Sequence, residues 1–218
     1  MTTFSLRTVV SAPFEENTYI LWRPGRFDAL VVDPGLEPDA ILEELKREGL
    51  TIAAILNTHG HADHIAGNEA MKAAFPAAPL VIGVNEANLL LDPWANLSAP
   101  FGMSIVSPTA DRTLREGEVF EAAGFRLEVR EIPGHSPGHI VFVMQEEKPL
   151  VVLGGDVLFR GSIGRTDFPG GSFETLAGGI RSKLYTLPED TVVYPGHGPV
   201  TTVGHEKQSN PFVNGSDT

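Results

Sequence analysis

The chain has 218 residues, 16 Lys and Arg against 28 Asp and Glu, a formal charge of −12 and no cysteine. A length near one and a half times the roughly 150-residue domain prior suits one large domain or two small ones, and 42% apolar with 20% charged residues excludes wholesale disorder. The missing cysteines exclude a disulfide scaffold, a thiolate metal site, a cysteine nucleophile and an iron–sulfur cluster.

In chain order, short β-branched or aromatic runs come first, at Leu6 to Val10, Thr18 to Trp22 and Ala29 to Val32, broken by Pro13, Pro24-Gly25 and Pro34-Gly35. Pro38 opens a helix with Ile41, Leu42 and Leu45 on one face, closed by Gly49. A buried-strand run, Ile52 to Leu56, follows, then a helix from His64 to Phe75 weakened by Gly67, then a strand over Leu80 to Val84. Residues 92–118, with Pro93, Pro100, Gly102 and Pro108, read as an irregular surface excursion. Strands resume at Phe125 to Ile132, Ile140 to Met144, Val151 to Leu153 and Val192 to Tyr194, with a helix near Phe173 to Leu184. Strands precede helices in both halves, so an α/β arrangement in a single domain over 1–218 is expected. The start carries no basic stretch ahead of a long apolar region, and no run reaches the ~20 apolar residues of a membrane span. A cytoplasmic protein acting on a small molecule is expected, with neither membrane nor nucleic acid as partner, since phosphate binding needs clustered Lys and Arg.

Four places share one grammar, in which an apolar run ends and metal-ligand side chains sit on the following turn. Ile52–Leu56 leads to Thr58-His59-Gly60-His61-Ala62-Asp63-His64, and Phe125–Ile132 to Pro133-Gly134-His135. Val151–Leu153 leads to Gly154-Gly155-Asp156, and Val192–Tyr194 to Pro195-Gly196-His197. Strand ends on one rim let loop-borne ligands converge on a rigid scaffold. One small ion does not easily accept four donors from six consecutive residues. Two ions do, His59 and His61 on one, Asp63 and His64 on the other. His135 then completes the first site and His197 the second, with the two-oxygen carboxylate of Asp156 as a bridge. Two ions about 3.5–4 Å apart can clamp a hydroxide and polarise a substrate oxygen together, which reads as a hydrolase. Imidazole and carboxylate donors without thiolate suit two divalent ions, zinc first, with iron or manganese as alternatives. His139 and His205 follow no strand end in this way and read as supporting or surface residues. Asp33 before Pro34 is either a turn former or a residue that orients a ligand.

The run T-H-G-H-A-D-H, with P-G-H-S-P-G-H, G-G-D and Y-P-G-H-G behind it, resembles the metallo-β-lactamase superfamily over roughly Thr18 to Pro199. The resemblance implies a four-layer αβ/βα sandwich with its metals at one edge of the sheets. It also implies His59, His61 and His135 on one metal, Asp63, His64 and His197 on the other, and Asp156 bridging. Within the superfamily, G-D-V-L-F-R-G-S-I-G-R-T-D-F-P-G-G and the ending H-G-P-V-T-T-V-G-H-E-K-Q-S-N-P-F resemble glyoxalase II-like hydrolases, especially a short bacterial subgroup without the helical C-terminal domain. That likeness implies hydrolysis of a thioester such as S-D-lactoylglutathione through a metal-bridging hydroxide, with Asp63 and Asp156 as catalytic carboxylates.

Departures bear on the substrate. Asp167 stands where the family has a tyrosine, and Gly198-Pro199 follows His197 where it has an aromatic residue. Arg165 matches the family's basic contact and suits a substrate carboxylate, while a structural salt bridge with Asp167 is an equal reading. G-R-T-D-F is also similar to persulfide dioxygenases, whose single iron here would take His59, His135 and Asp156. Lactonase or β-lactamase chemistry uses the same metals, and a nucleic-acid enzyme of the superfamily is opposed by the charge.

Overall fold

A computed structural model describes residues 4–215. Alternation along its strands decides the layering. The first sheet takes β1 (Ser5–Ser11), β2 (Glu16–Trp22), β3 (Asp28–Val32), β4 (Thr51–Leu56), β5 (Leu80–Gly83) and β6 (Arg112–Leu114), in that spatial order. It begins antiparallel and turns parallel from β3 onward. The second sheet holds β7 (Val119–Ala122), β8 (Phe125–Glu131), β9 (Ile140–Met144) and β10 (Val151–Gly155) as an antiparallel meander. A short hairpin, β11 (Leu158–Phe159) and β12 (Ser162–Ile163), leaves that sheet. The chain then returns as β13 (Val192–Pro195), parallel to β10, and ends the sheet with β14 (Thr201–Thr202).

Residues of one parity pack between the sheets. Leu21, Leu30 and Leu56 share a core with Leu127, Phe142 and Leu153. Residues of the other parity point outward to helices. Ile20, Val31 and Ile55 are covered by Ile41 and Leu45 of α1 (Pro38–Glu48) and by Met71 of α3 (Asn68–Ala74). On the far side Val141, Val143 and Val152 are covered by Leu176 of α4 (Phe173–Gly179), by Ile180 and by Val203 of α5 (Val203–Ser209). Two-sided burial explains why these strands read as near-continuous apolar runs. The expected αβ/βα sandwich is therefore present.

The helix expected over His64 to Phe75 is instead two pieces, α2 (Ala62–Ile65) and α3. The break falls at Gly67, whose N–H donates to the Pro34 carbonyl at 2.8 Å. A Cβ there would lie 2.9 Å from the Gly35 oxygen, so the β3–α1 turn occupies the space an uninterrupted helix would need. Residues 92–118 are also more than a surface excursion. Asn96 and Ser98 are fully buried, and the Asn96 amide donates to Ile105 and accepts from the Ser98 N–H. Strands β7 and β14, the β11–β12 hairpin and α5 go beyond the elements expected from the sequence. All are short, and short elements carry little periodicity.

Candidate metal centre

Each expected ligand follows the C-terminal end of a strand or lies in the turn after it. His59, His61, Asp63 and His64 follow β4, His135 follows β8, Asp156 follows β10 and His197 follows β13. The seven meet at one edge of the sheets. His61 Nδ1 lies 3.1 Å from His59 Nε2 and 2.9 Å from His135 Nε2. His197 Nε2 lies 3.3 Å from Asp63 Oδ2 and 3.5 Å from Asp156 Oδ2, and His64 Nε2 lies 3.4 Å from Asp156 Oδ1. His135 Nε2 is also 3.5 Å from Asp156 Oδ2, so Asp156 touches both groups. Two triads result, His59–His61–His135 and Asp63–His64–His197, and a third grouping links His59, His64 and Asp156.

Partners on the outer side fix the rings. His135 Nδ1 donates to the Arg165 carbonyl at 2.8 Å, and His197 Nδ1 donates to the Phe14 carbonyl at 2.9 Å. The Thr58 hydroxyl donates to Asp33 Oδ2, so its oxygen is left to accept from His59 Nδ1 at 3.1 Å. His64 Nδ1 donates to Asp33 Oδ2 at 3.1 Å. Asp33 is thus the ligand-orienting residue, and its left-handed φ of 49° shows that it forms the turn as well.

These tautomers leave bare nitrogen lone pairs on His59 and His135 aimed at His61 Nδ1. Three ring nitrogens within about 3 Å cannot all be satisfied by one proton. His64 Nε2 and Asp156 Oδ1 are likewise buried without a hydrogen-bond partner. A buried polar group in that condition is costly, and divalent cations resolve the conflict by accepting every lone pair. The donor set therefore fits metal on the structure's own terms.

Burial drives the protonation pattern. Desolvation, then the neighbouring histidines, hold His59 well below the ordinary range, and desolvation with His135 pulls His61 to about 3. Desolvation also lowers His135 and His139. Burial alone would lower His64 too, but the Asp156 and Asp63 carboxylates outweigh it and hold His64 well above its usual value. His197 is raised in the same way, burial being outweighed by its bond to Asp63 and by Asp156. Burial thus favours the neutral form in the first triad, while the carboxylates favour the protonated form of His64 and His197 in the second.

A pH dependence follows with opposite signs. The lowered histidines bind protons only after unfolding, so their stabilisation is lost as pH falls below about 6.5, the unfolded histidine value. The raised pair gives stability below about 6.5 that is lost as pH climbs through their folded values. Metal-free protein melted in chelator should therefore be most stable near pH 6.5, and zinc added at neutral pH should release protons from His64 and His197 to a weak buffer. A melting temperature rising steadily from pH 5 to 9, or zinc binding without proton release, would contradict this.

Four further residues hold the site. Glu86, buried, accepts from Gly60 N at 2.8 Å, Gly138 N at 2.6 Å and Ser136 Oγ at 2.8 Å, tying the first histidine loop to the second. A lone acid in N-E-A gives no hint of this in sequence. His139 Nε2 accepts from the Asp156 N–H at 2.9 Å while its ring stacks on His59, the supporting role expected of it. His205 is exposed on α5. Glu206 accepts from the Gly161 N–H at 2.9 Å and Asn210 Nδ2 donates to the Ser162 carbonyl at 3.0 Å, so the H-E-K-Q-S-N tail clamps the β11–β12 hairpin. That hairpin lends Phe159, Ser162 and Ile163 to a cavity of about 440 Å³ over the metal ligands. Arg165 lies in its wall and makes a bidentate pair with Asp167 at 2.7 and 2.8 Å, the salt-bridge reading of that residue.

A family model described as the metallo-beta-lactamase superfamily matches residues 12–197. The chain belongs to the metallo-beta-lactamase superfamily. Among its relatives, the hydroxyacylglutathione hydrolase GloC of Haemophilus influenzae is 39% identical over 204 residues, covering 92% of this chain and 94% of its own. The probable metallo-hydrolase YqgX of Bacillus subtilis is 39% identical over 210 residues, covering 96% and 97%. Among solved structures, BLEG-1, titled a B3 metallo-beta-lactamase, superposes with TM-score 0.91 at 38% identity, covering 96% of this chain and 99% of its own. TTHA1623 in a di-iron-bound form follows at TM-score 0.84 and 35% identity, covering 95% and 100%. Members of the superfamily are in general enzymes, and the His/Asp cluster of this chain supports the use of divalent metal. No helix among the described residues is long and apolar enough to cross a membrane.

Proposed function

We propose that this superfamily member is a binuclear metallohydrolase that cleaves thioesters, with S-D-lactoylglutathione as the reference substrate. The observation that carries the reading is the second triad. One ion needs only three of the seven donors, yet Asp63, His64 and His197 form a complete set of their own beside His59, His61 and His135. The 39% identical relative named hydroxyacylglutathione hydrolase supports the thioester, and the di-iron-bound neighbour supports a pair of ions.

Two divalent ions, zinc first and iron or manganese as alternatives, would supply Lewis acidity toward water and toward the substrate carbonyl. The protein's own groups do the rest. The cavity would seat the acyl carbon beside the ligand cluster, against the largely apolar wall of Phe14, Leu97, Phe101 and Phe159. Asp63, whose carboxylate reaches the cavity, takes the proton shed by the attacking water. Water adds to the thioester carbon, the C–S bond breaks, and the products are a carboxylic acid and a thiol. Asp156 holds the two triads in register, and Asp33 keeps His64 aimed inward.

The mononuclear oxidoreductase reading draws on the likeness of G-R-T-D-F to a stretch in persulfide dioxygenases. It leaves Asp63, His64 and His197 without a task. Zinc-loaded protein assayed on S-D-lactoylglutathione, a lactone and a β-lactam should turn over the thioester best. Oxygen consumption with glutathione persulfide and no thioester turnover would overturn the proposal.

A further inference from the structure

Beyond the metal ligands, part of the cavity wall is hydrocarbon. Phe14, Leu97 and Phe101 line it, and the two rings meet edge to face with centres 5.6 Å apart. Among the described residues, none of these three belongs to the apolar cores that hold the sheets and helices together. Core packing therefore does not account for them. Both parts of the wall are fastened to the metal-ligand loops. The Phe14 carbonyl accepts from His197 Nδ1 at 2.9 Å, and the Asn96 carbonyl accepts at 2.9 Å from the N–H of Ala62, which lies between His61 and Asp63.

Leu97 is held in a conformation that its side chain disfavours. Its φ is 68°, in the left-handed region that glycine and asparagine enter readily and a bulky residue does not. Of the non-glycine residues with such a φ, Leu97 is the one that lines the cavity. Its neighbours impose the turn. Asn96 and Ser98 are both fully buried. The Asn96 amide donates to the Ile105 carbonyl at 2.8 Å and accepts from the Ser98 N–H at 3.0 Å, while Ser98 Oγ accepts from the Ile105 N–H at 3.1 Å. With the residues on either side committed inward, the side chain between them is delivered to the cavity. Glycine or asparagine would form this turn at lower cost, so the leucine is explained by the surface it offers. Strain held at a wall of the ligand cavity, supported by buried polar neighbours, marks a functional position.

Resting on the thioester reading above, we propose that Leu97 is a specificity-determining residue which, with Phe14 and Phe101, seats an extended apolar acyl chain. A glutathione thioester has two unlike halves. The thiol half carries two carboxylates and an ammonium group, and a hydrocarbon surface offers those charges nothing. The acyl half gains with every methylene it lays against leucine and phenylalanine.

The test uses zinc-loaded protein and one thiol, glutathione, carrying acetyl, butyryl or hexanoyl. From acetyl to hexanoyl kcat/KM should rise at least about tenfold, mainly through KM, as partial burial of the added methylenes predicts. Leu97→Asn puts a residue suited to the left-handed region in place of the hydrocarbon. Its hexanoyl-to-acetyl ratio should fall several-fold while its melting temperature stays level or rises, a combination that a merely structural role for Leu97 would not give. Phe101→Ala, which removes an exposed ring and leaves the turn alone, should lower the same ratio. A flat series in the unaltered protein, or a ratio that neither variant moves, would overturn the proposal. Binding of non-hydrolysable S-methylglutathione and S-hexylglutathione separates this from failure of the thioester reading. Tighter binding of the hexyl compound, weakened in Leu97→Asn, with no turnover of any ester sinks only the hydrolytic assignment. Equal binding of the two, or binding of neither, sinks the acyl wall.

Discussion

Replacing Asp156 by alanine should reduce hydrolysis by about three orders of magnitude or more, the several kcal/mol that metal polarisation of water and substrate provides. Asp156 is the side chain common to both halves of the centre, within 3.5 Å of ring nitrogens on His64, His135 and His197. Its carboxylate resists burial, which alone would raise its pKa, because His64 and then His197 hold it far below the ordinary carboxylate value. Losing it removes a bridging donor and also the negative charge that keeps a proton on His64. The variant should bind less metal, and its metal-free form should release fewer protons when zinc is added. Steady-state turnover, metal content and weak-buffer titration read these together. A variant with normal turnover and full metal content would show that Asp156 does not join the sites.

Gly196→Ala should cost about a hundredfold in turnover without removing any donor, the penalty expected when reacting groups move by about 1 Å. Gly196 is not in the left-handed region, so backbone strain of that kind plays no part. The problem is space. A Cβ would lie 2.2 Å from Asp156 Oδ1 and 2.7 Å from His64 Cε1. The backbone cannot retreat easily, because the Gly196 N–H donates to the Gly155 carbonyl at 2.8 Å and its carbonyl accepts from the Asn17 N–H at 2.7 Å. Asp156 and His64 must therefore shift, which opens the second triad first. Gly198→Ala is the comparison, since nothing lies within 4 Å of its would-be Cβ and only its positive φ of 73° is disturbed. The metal-binding defect should appear in the first variant and be much smaller in the second. Equal effects would place the cost in the backbone rather than in the crowding of Asp156.

The candidate metal ligands stand out in the sequence because their chemistry is concentrated. H-x-H-x-D-H puts four donors after one strand, and His135, Asp156 and His197 each follow a strand that reads clearly from its own run of Val, Ile and Leu. The helices with a good signal, such as α1 with Pro38 at its start and Gly49 in a left-handed cap at its end, fell where the pattern placed them. The supporting shell was harder to see. Glu86 acts through three loop groups that are distant in sequence, and Glu206 acts through the backbone of a hairpin two residues wide on each side. Nothing in the local pattern marks such residues, since their meaning comes from partners that only the folded chain supplies. Gly67 shows the same limit from the other direction. Its low helix propensity was visible, but the break needed the β3–α1 turn pressing on that spot. For Arg165 the sequence left substrate contact and ion pair in balance, and the bidentate geometry with Asp167 settles the resting arrangement as the ion pair.

Metal stoichiometry reads directly whether the seven side chains hold two cations. Protein reconstituted with zinc and freed of excess should contain two ions per chain, and His197→Ala should contain one while still binding at His59, His61 and His135. One ion per chain in the unaltered protein, undiminished in His197→Ala, would mean that Asp63, His64 and His197 hold no cation.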